Sequence, residues 1–280
     1  MSALARRRTS RVLLNAAAVV VIAFSIFPVY WMVNTSLLPG SAIKSDTPHL
    51  WPDQFTVQNY VTALGSSGFG AALLTSVVVT VVTVAAALVF AFLAAIVLSR
   101  FRFRGRTAII VTVLVVQMIP AESMIISTFR VLDGWHLVNT MIGLSLVYIA
   151  LVLPFTIWTL RGFVAGIPAD LEEAAMIDGC SRTGAFWRVT FPLLAPGLVA
   201  TGVFAFIQAW NEFVFALVIM TRPESQTLPI WLRSFVQATK ATDWSVVMAA
   251  STLMAIPVIV FFLIVQRRMA AGLVSGAVKG

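Results

Sequence analysis

Six stretches of this chain are apolar for long enough to cross a hydrocarbon core about 30 Å thick: residues 12–36, 71–98, 108–129, 140–160, 197–219 and 246–265. No other feature limits the fold as tightly. Lipid offers no water to pair backbone N–H and C=O groups, so a spanning segment must be a helix or a strand of a closed barrel. The period-two alternation of barrel strands is absent. The expected fold class is an all-α integral membrane protein of six transmembrane helices, read as one domain over 1–280. Composition agrees. With 60% hydrophobic residues, 11% charged residues and a mean hydropathy of +0.96, the chain cannot wet the surface of a soluble domain, which carries about 25% charged residues. A soluble enzyme is excluded. The net charge of +8 implies nucleic acid only on a soluble basic face, so no nucleic-acid partner is expected.

Six spans put both termini on one side of the membrane. That side holds Arg6, Arg7, Arg8, Arg11, Arg100, Arg102, Arg104, Arg106, Arg161, Arg182, Arg188, Arg267, Arg268 and Lys279, against Lys44, Arg130, Arg222, Arg233 and Lys240 opposite. Positive charge stays cytoplasmic, so both termini are expected there. The first apolar run exceeds the roughly 7 to 15 residues of a cleavable signal and reads as a retained helix. The single Cys180 excludes a disulfide framework and a cysteine-cluster metal site, and His49 and His136 read as loop or interface residues, so no metal is expected. Three connections are too long to be simple turns: 37–70 and 220–245 outside, and 161–196 inside. The outer two carry Pro48, Pro52, Pro223 and Pro229 with Trp51, Trp231 and Trp244, as suits ordered segments at the membrane interface.

The inner connection carries the strongest signal, over 167–192. It reads as two short helices separated at glycine. Asp170 is placed to cap the first, with Glu173 reaching back to the capping amide; Gly179 stands where a left-handed residue ends that helix, and Ser181 is placed to cap the next. Leu171, Ala174, Ala175 and Ile177 give this helix an apolar surface among charged residues outside the membrane, a candidate docking face for a soluble partner.

The sequence Glu173-Ala174-Ala175, then Gly179 after three residues, then Val189, Phe191 and Pro192, resembles the cytoplasmic signature of the permease subunits of bacterial ABC importers. Within them it is similar to the carbohydrate permeases of the maltose-transporter type. Val189 and Phe191 stand where that signature has Ile and Leu, conservative departures. Asn139-Thr140, Leu153-Pro154-Phe155, Trp210-Asn211-Glu212-Phe213, Thr227-Leu228-Pro229 and the tail from Gly272 to Gly280 extend the resemblance over most of the chain. It implies a binding-protein-dependent sugar importer in the bacterial cytoplasmic membrane: a second permease completes the pathway, an ABC ATPase dimer docks beneath, and an extracytoplasmic solute-binding protein delivers a sugar-like substrate. It also implies an ATPase-coupling role for Glu173, Ala174, Ala175, Asp178, Gly179 and Pro192. No G-x-x-x-x-G-K-[ST] loop is present, so this chain is expected to hold no cofactor, with ATP and its Mg bound by the partner ATPase.

Two acidic residues fall within the expected spans, Glu122 and Glu212, and a charge there costs at least about 2.5 kcal/mol. Gln208, Asn211 and Glu212 have the spacing of one helical face, with Trp210 beside them. Two roles are open to this cluster, lining a sugar pathway or joining helices by hydrogen bonds. Glu122, with Gln117 and Pro120, marks either a structural kink or a kinked gate in the third span. These glutamates also keep an ion-coupled secondary transporter as the alternative function. No constellation of catalytic residues appears.

Overall fold

The computed structural model describes residues 3–45, 47–236 and 242–277, with side chains from 13 to 266 inside those limits. Lys240, Lys279 and the last residues of the tail lie outside the described residues. Among the described residues every regular element is helical. In chain order these are α1 (Ala3–Ser36), α2 (Gly40–Ile43), α3 (Gln58–Gly65), α4 (Phe69–Arg100), α5 (Arg106–Gln117), α6 (Ile125–Gly134), α7 (Met141–Gly166), α8 (Asp170–Ile177), α9 (Arg182–Ala185), α10 (Phe191–Asn211), α11 (Val214–Ile219), α12 (Leu228–Arg233) and α13 (Trp244–Ala277). A 3₁₀ turn precedes α6, another lies at Pro223–Ser225, and a π turn, Phe186–Thr190, joins α9 to α10.

The chain divides into two compact units, Met1–Phe69 with Leu232–Ile256, and Gly70–Trp231 with Pro257–Gly280. In the first unit, residues 13 to 30 of α1 are all exposed, so that helix presents an apolar cylinder interrupted only by Asn15 and Ser25. Its C-terminal end is held by polar contacts: Asn34 donates to the His49 carbonyl, Tyr30 to that of Leu50, and Asn59 to those of Ser36 and Leu38. His49, Leu50 and Asn59 of the connection that follows are thereby fastened to the end of α1. His49 pairs through Nδ1 with Asp53 at 3.1 Å.

The second unit is built on α4, α7 and α10. The buried stripe of α4 is mostly small, Ala72, Ser76, Thr80, Thr83, Ala87, Ala91 and Ala95, recurring every three or four residues. In lipid, where apolar burial drives little, small residues let helices approach closely enough for dispersion to hold them. Ala87 accordingly meets Val152 and Ala205, and Ala91 and Ala95 meet Leu160, Val164 and Leu194. A Cβ on Gly197 of α10 would stand 2.5 Å from the Phe163 ring of α7, which makes that approach dependent on glycine.

Two expected spans are broken rather than continuous. Residues 108–129 form α5, then a bend of 89°, then the 3₁₀ turn and α6. Pro120 has no N–H and disfavours helical conformation in Ile119, and Ser123 turns both its N–H and its hydroxyl to the Pro120 carbonyl. Residues 197–219 form α10 and the separate α11, with Glu212 extended between them (φ −65°, ψ 127°). At the other end of this span the second helix of 167–192 is not short, because α9, the π turn and α10 run on as one segment, Arg182–Asn211. Pro192, lacking an N–H, stands two residues after the π turn, in the first turn of α10, where a missing N–H costs little.

Trp231 is buried, which removes it from the expected interfacial belt, whereas Trp51 and Trp244 are exposed.

Candidate functional site

The bend after α5 and the break after α10 open on one space. A cavity of about 870 Å³ lies between α5, α6, α7, α10 and α11, all in the second unit. Its polar lining includes Gln117, Glu122, Ser127, Thr128, Gln208, Asn211 and Glu212, and its aromatic lining includes Trp135, Tyr148, Phe213 and Phe215. All four pathway candidates, Glu122, Gln208, Asn211 and Glu212, are thus brought to one cavity, although Glu122 is 90 residues distant from Glu212 in the chain.

Glu212 does not share a helical face with Gln208 and Asn211, because α10 ends at Asn211. Its carboxylate instead accepts the N–H groups of Phe215 at 2.8 Å and Ala216 at 3.0 Å, at the start of α11. Those first-turn N–H groups have no partner within the helix, and the positive end of the helix dipole favours an anion there. This is how the chain keeps a carboxylate at membrane depth. The Tyr148 hydroxyl donates to the Glu212 carbonyl at 3.4 Å, and Asn211 donates back to the Ile207 carbonyl at 2.9 Å. Glu122 is exposed to the cavity. Trp210, expected beside this cluster, is buried and stacked on Phe206 instead; Trp135 and Tyr148 supply aromatic surface. Sequence reasoning missed both because the third span seemed to end before Trp135, and Tyr148 lay inside a span with no polar neighbour to mark it.

At the opposite end of α10, α8 lies outside the apolar spans and has no buried residue. The capping box expected of Asp170 and Glu173 does not form. The N–H groups of Glu172 and Glu173 both bond to the Ala169 carbonyl, so the helix begins one residue early, and Asp170, Glu172 and Glu173 all fall in its first turn. Its end matches expectation. Gly179 has φ +93°, its N–H bonds to the Met176 carbonyl, and the Cys180 N–H bonds to that of Ala175. These are the paired bonds of a Schellman termination. Ser181 Oγ then accepts the Gly184 N–H at 3.1 Å and caps α9. Glu173, Ala174, Asp178, Gly179 and Pro192 are exposed and Ala175 is half-buried, while Ile177 is 86% exposed.

The sequence reading did not single out Glu172, the residue that turns inward. Its Oε1 lies 3.2 Å from Arg100 Nη2 and accepts the Thr190 hydroxyl at 2.6 Å.

Comparison with known proteins decides the family. The family described as binding-protein-dependent transport system inner membrane component matches residues 87–274. The chain belongs to it. Its relatives include the diacetylchitobiose uptake system permease protein DasC of Streptomyces coelicolor, 45% identical over 96% of this chain and 98% of the relative. The trehalose transport system permease protein SugB of Mycobacterium tuberculosis is 36% identical over 99% of each chain. A chain in the crystal structure of a bacterial ABC transporter involved in the import of the acidic polysaccharide alginate has the same fold, with TM-score 0.79 and 22% identity over 95% of this chain and 98% of that one. This family member is a multi-pass membrane transport permease, and the matched region contains both the cavity and α8.

Proposed function

We propose that this permease forms half of the translocation pathway of an ATP-driven, binding-protein-dependent importer of a sugar or sugar-like solute in the bacterial cytoplasmic membrane. The observation that carries the reading is the cavity, whose volume falls within the range of about 300 to 1,000 Å³ usual for small-molecule sites. Its amides, hydroxyls and carboxylates are suited to pairing sugar hydroxyls, and Trp135 and Tyr148 to meeting the apolar faces of a sugar ring. Among the described residues no Lys, Arg or His lines it, which suits uncharged sugars, the kind named in DasC and SugB, better than carboxylated or phosphorylated ones.

In this reading Gln208, Asn211, Glu212 and Glu122 border the path of the solute. The exposed faces of Glu173, Ala174, Ala175 and Asp178, ended by Gly179 and followed by Pro192, dock on an ABC ATPase dimer, which binds ATP and Mg and supplies the energy. The permease performs no chemistry on the solute. A second permease encloses the other side of the pathway, and the apolar cylinder of α1 meets lipid or that subunit. Both termini face the cytoplasm, and a solute-binding protein delivers from the opposite side.

The test is to purify the tagged chain in detergent from its own host, identify what accompanies it, and reconstitute the assembly. An ATPase and a second permease should copurify, and vesicles should accumulate labelled N,N′-diacetylchitobiose or trehalose only with ATP and the binding protein present. Uptake by the lone chain, driven by an ion gradient, would overturn the proposal.

A further inference from the structure

A polar junction at Glu172 ties α8 to the ends of two spans. What it does rests on the docking of α8 on an ATPase, and concerns how a displacement of α8 reaches the spans.

An eight-residue helix with no buried side chain has little apolar packing to hold it to the rest of the chain. Yet one oxygen of Glu172 is engaged twice. Arg100, the last residue of α4, and Thr190, the last residue before α10, both reach Oε1. Both charged side chains are only 18% exposed, and Thr190 is fully buried. A charge pair shielded from water is screened less by salt and is costly to break on one side. The end of α4 is in turn joined to α7, since Ser99 Oγ donates to the Arg161 carbonyl at 3.3 Å. By helix rise α4 is about 48 Å long against a hydrocarbon core of about 30 Å, so its terminal Arg100 can stand clear of lipid beside α8.

We infer that Glu172 is a positioning residue that fastens α8 to the ends of α4 and α10, so that the docked helix and the spans move as one body. The division of labour between adjacent glutamates follows from helical phase. Neighbouring residues point about 100° apart, and Glu172 faces its own chain while Glu173 faces outward. The identity of Glu172 as an acid matters because one partner, Arg100, is a cation and the other, the Thr190 hydroxyl, donates a hydrogen bond.

The experiment uses the reconstituted transporter with all its subunits and measures solute accumulated per ATP hydrolysed. Arg100→Glu and Glu172→Arg should each lower that ratio about tenfold, a usual size for coupling between sites. The combined exchange, Arg100→Glu with Glu172→Arg, should recover most of it. Membrane abundance and ATPase copurification should be unchanged, which separates positioning from loss of fold or of docking. Thr190→Val, which removes a donor and no charge, should give a smaller fall in the same ratio even if the charge reversals fail to insert. A wild-type ratio in the single reversals, or a double exchange no better than the singles, would overturn the inference while leaving the docking of α8 intact. Failure of the wild-type chain to retain any ATPase would instead remove the docking itself.

Discussion

A carboxylate at membrane depth must be satisfied by protein, and Glu212 shows how a single residue decides local backbone as well as charge. By accepting two N–H groups at the start of α11 it converts what reads as one span into two helices, and that break is one wall of the cavity. Glu212→Leu therefore leaves two donors unpaired, where losing one capping side chain costs about 0.5 to 2 kcal/mol. Glu212→Gln keeps an acceptor oxygen. The Leu variant should show a lower melting temperature in detergent and reduced uptake, and the Gln variant a milder loss of both. Equal uptake by all three proteins would detach Glu212 from the pathway and from the capping role. No proline or glycine stands at this break, so the sequence offered only the glutamate itself, whose i+3 and i+4 amides are visible as partners once the helix is known to stop. Glu172 was hidden for a related reason: nothing in the loop indicates which of two adjacent acids faces inward until Arg100 is brought to it.

Among the elements, α8 is the one whose shape was most legible, because its end depends on a local and directional requirement. Gly179 at φ +93° is a conformation that costs a residue with a Cβ roughly 1 to 2 kcal/mol, Asn least. Gly179→Val should abolish most uptake while the chain still reaches the membrane, with ATP hydrolysis no longer stimulated by loaded binding protein. Gly179→Asn should retain substantial activity, since Asn visits the left-handed region. Normal stimulated uptake by the Val protein would show that α8 is not the coupling element. The start of α8 was misread by one residue because several acids follow Pro168, any of which could serve the helix dipole. In the third span the kink expected at Pro120 is present, while its 89° depends on how α6 packs along α7 and α11.

At the scale of the whole chain, orientation rests on charge, and the second unit supplies an independent check on the count of crossings. The ends of α4 and α7 meet through Ser99 and the Arg161 carbonyl, so the chain between them must cross and return. Since α7 itself runs from Met141 to Gly166, the bent pair of α5 and α6 has to make one full crossing, from the Arg106 end to Asn139. At that far end Asn139, with φ +61°, accepts the Arg222 N–H at 2.9 Å, exchanges hydrogen bonds with Thr221, and donates its own N–H to the Ile219 carbonyl. The Arg100, Arg161, Arg182 and Arg188 group and the Asn139, Thr221 and Arg222 group therefore stand at opposite ends of the same helices. Positive charge favours the cytoplasm for the first group, beside which Cys180 lies half-buried, 3.7 Å from Arg188 Nη1. Cys180 is the one thiol in the chain, so it reports sidedness without engineering. In intact cells a membrane-impermeant maleimide should leave it unlabelled and should label it after permeabilisation. In a Cys180→Ser background, Glu224→Cys, at an exposed site near Arg222, should label from outside. The reverse pattern at both sites would invert the topology, and with it the assignment of α8 to the ATPase side.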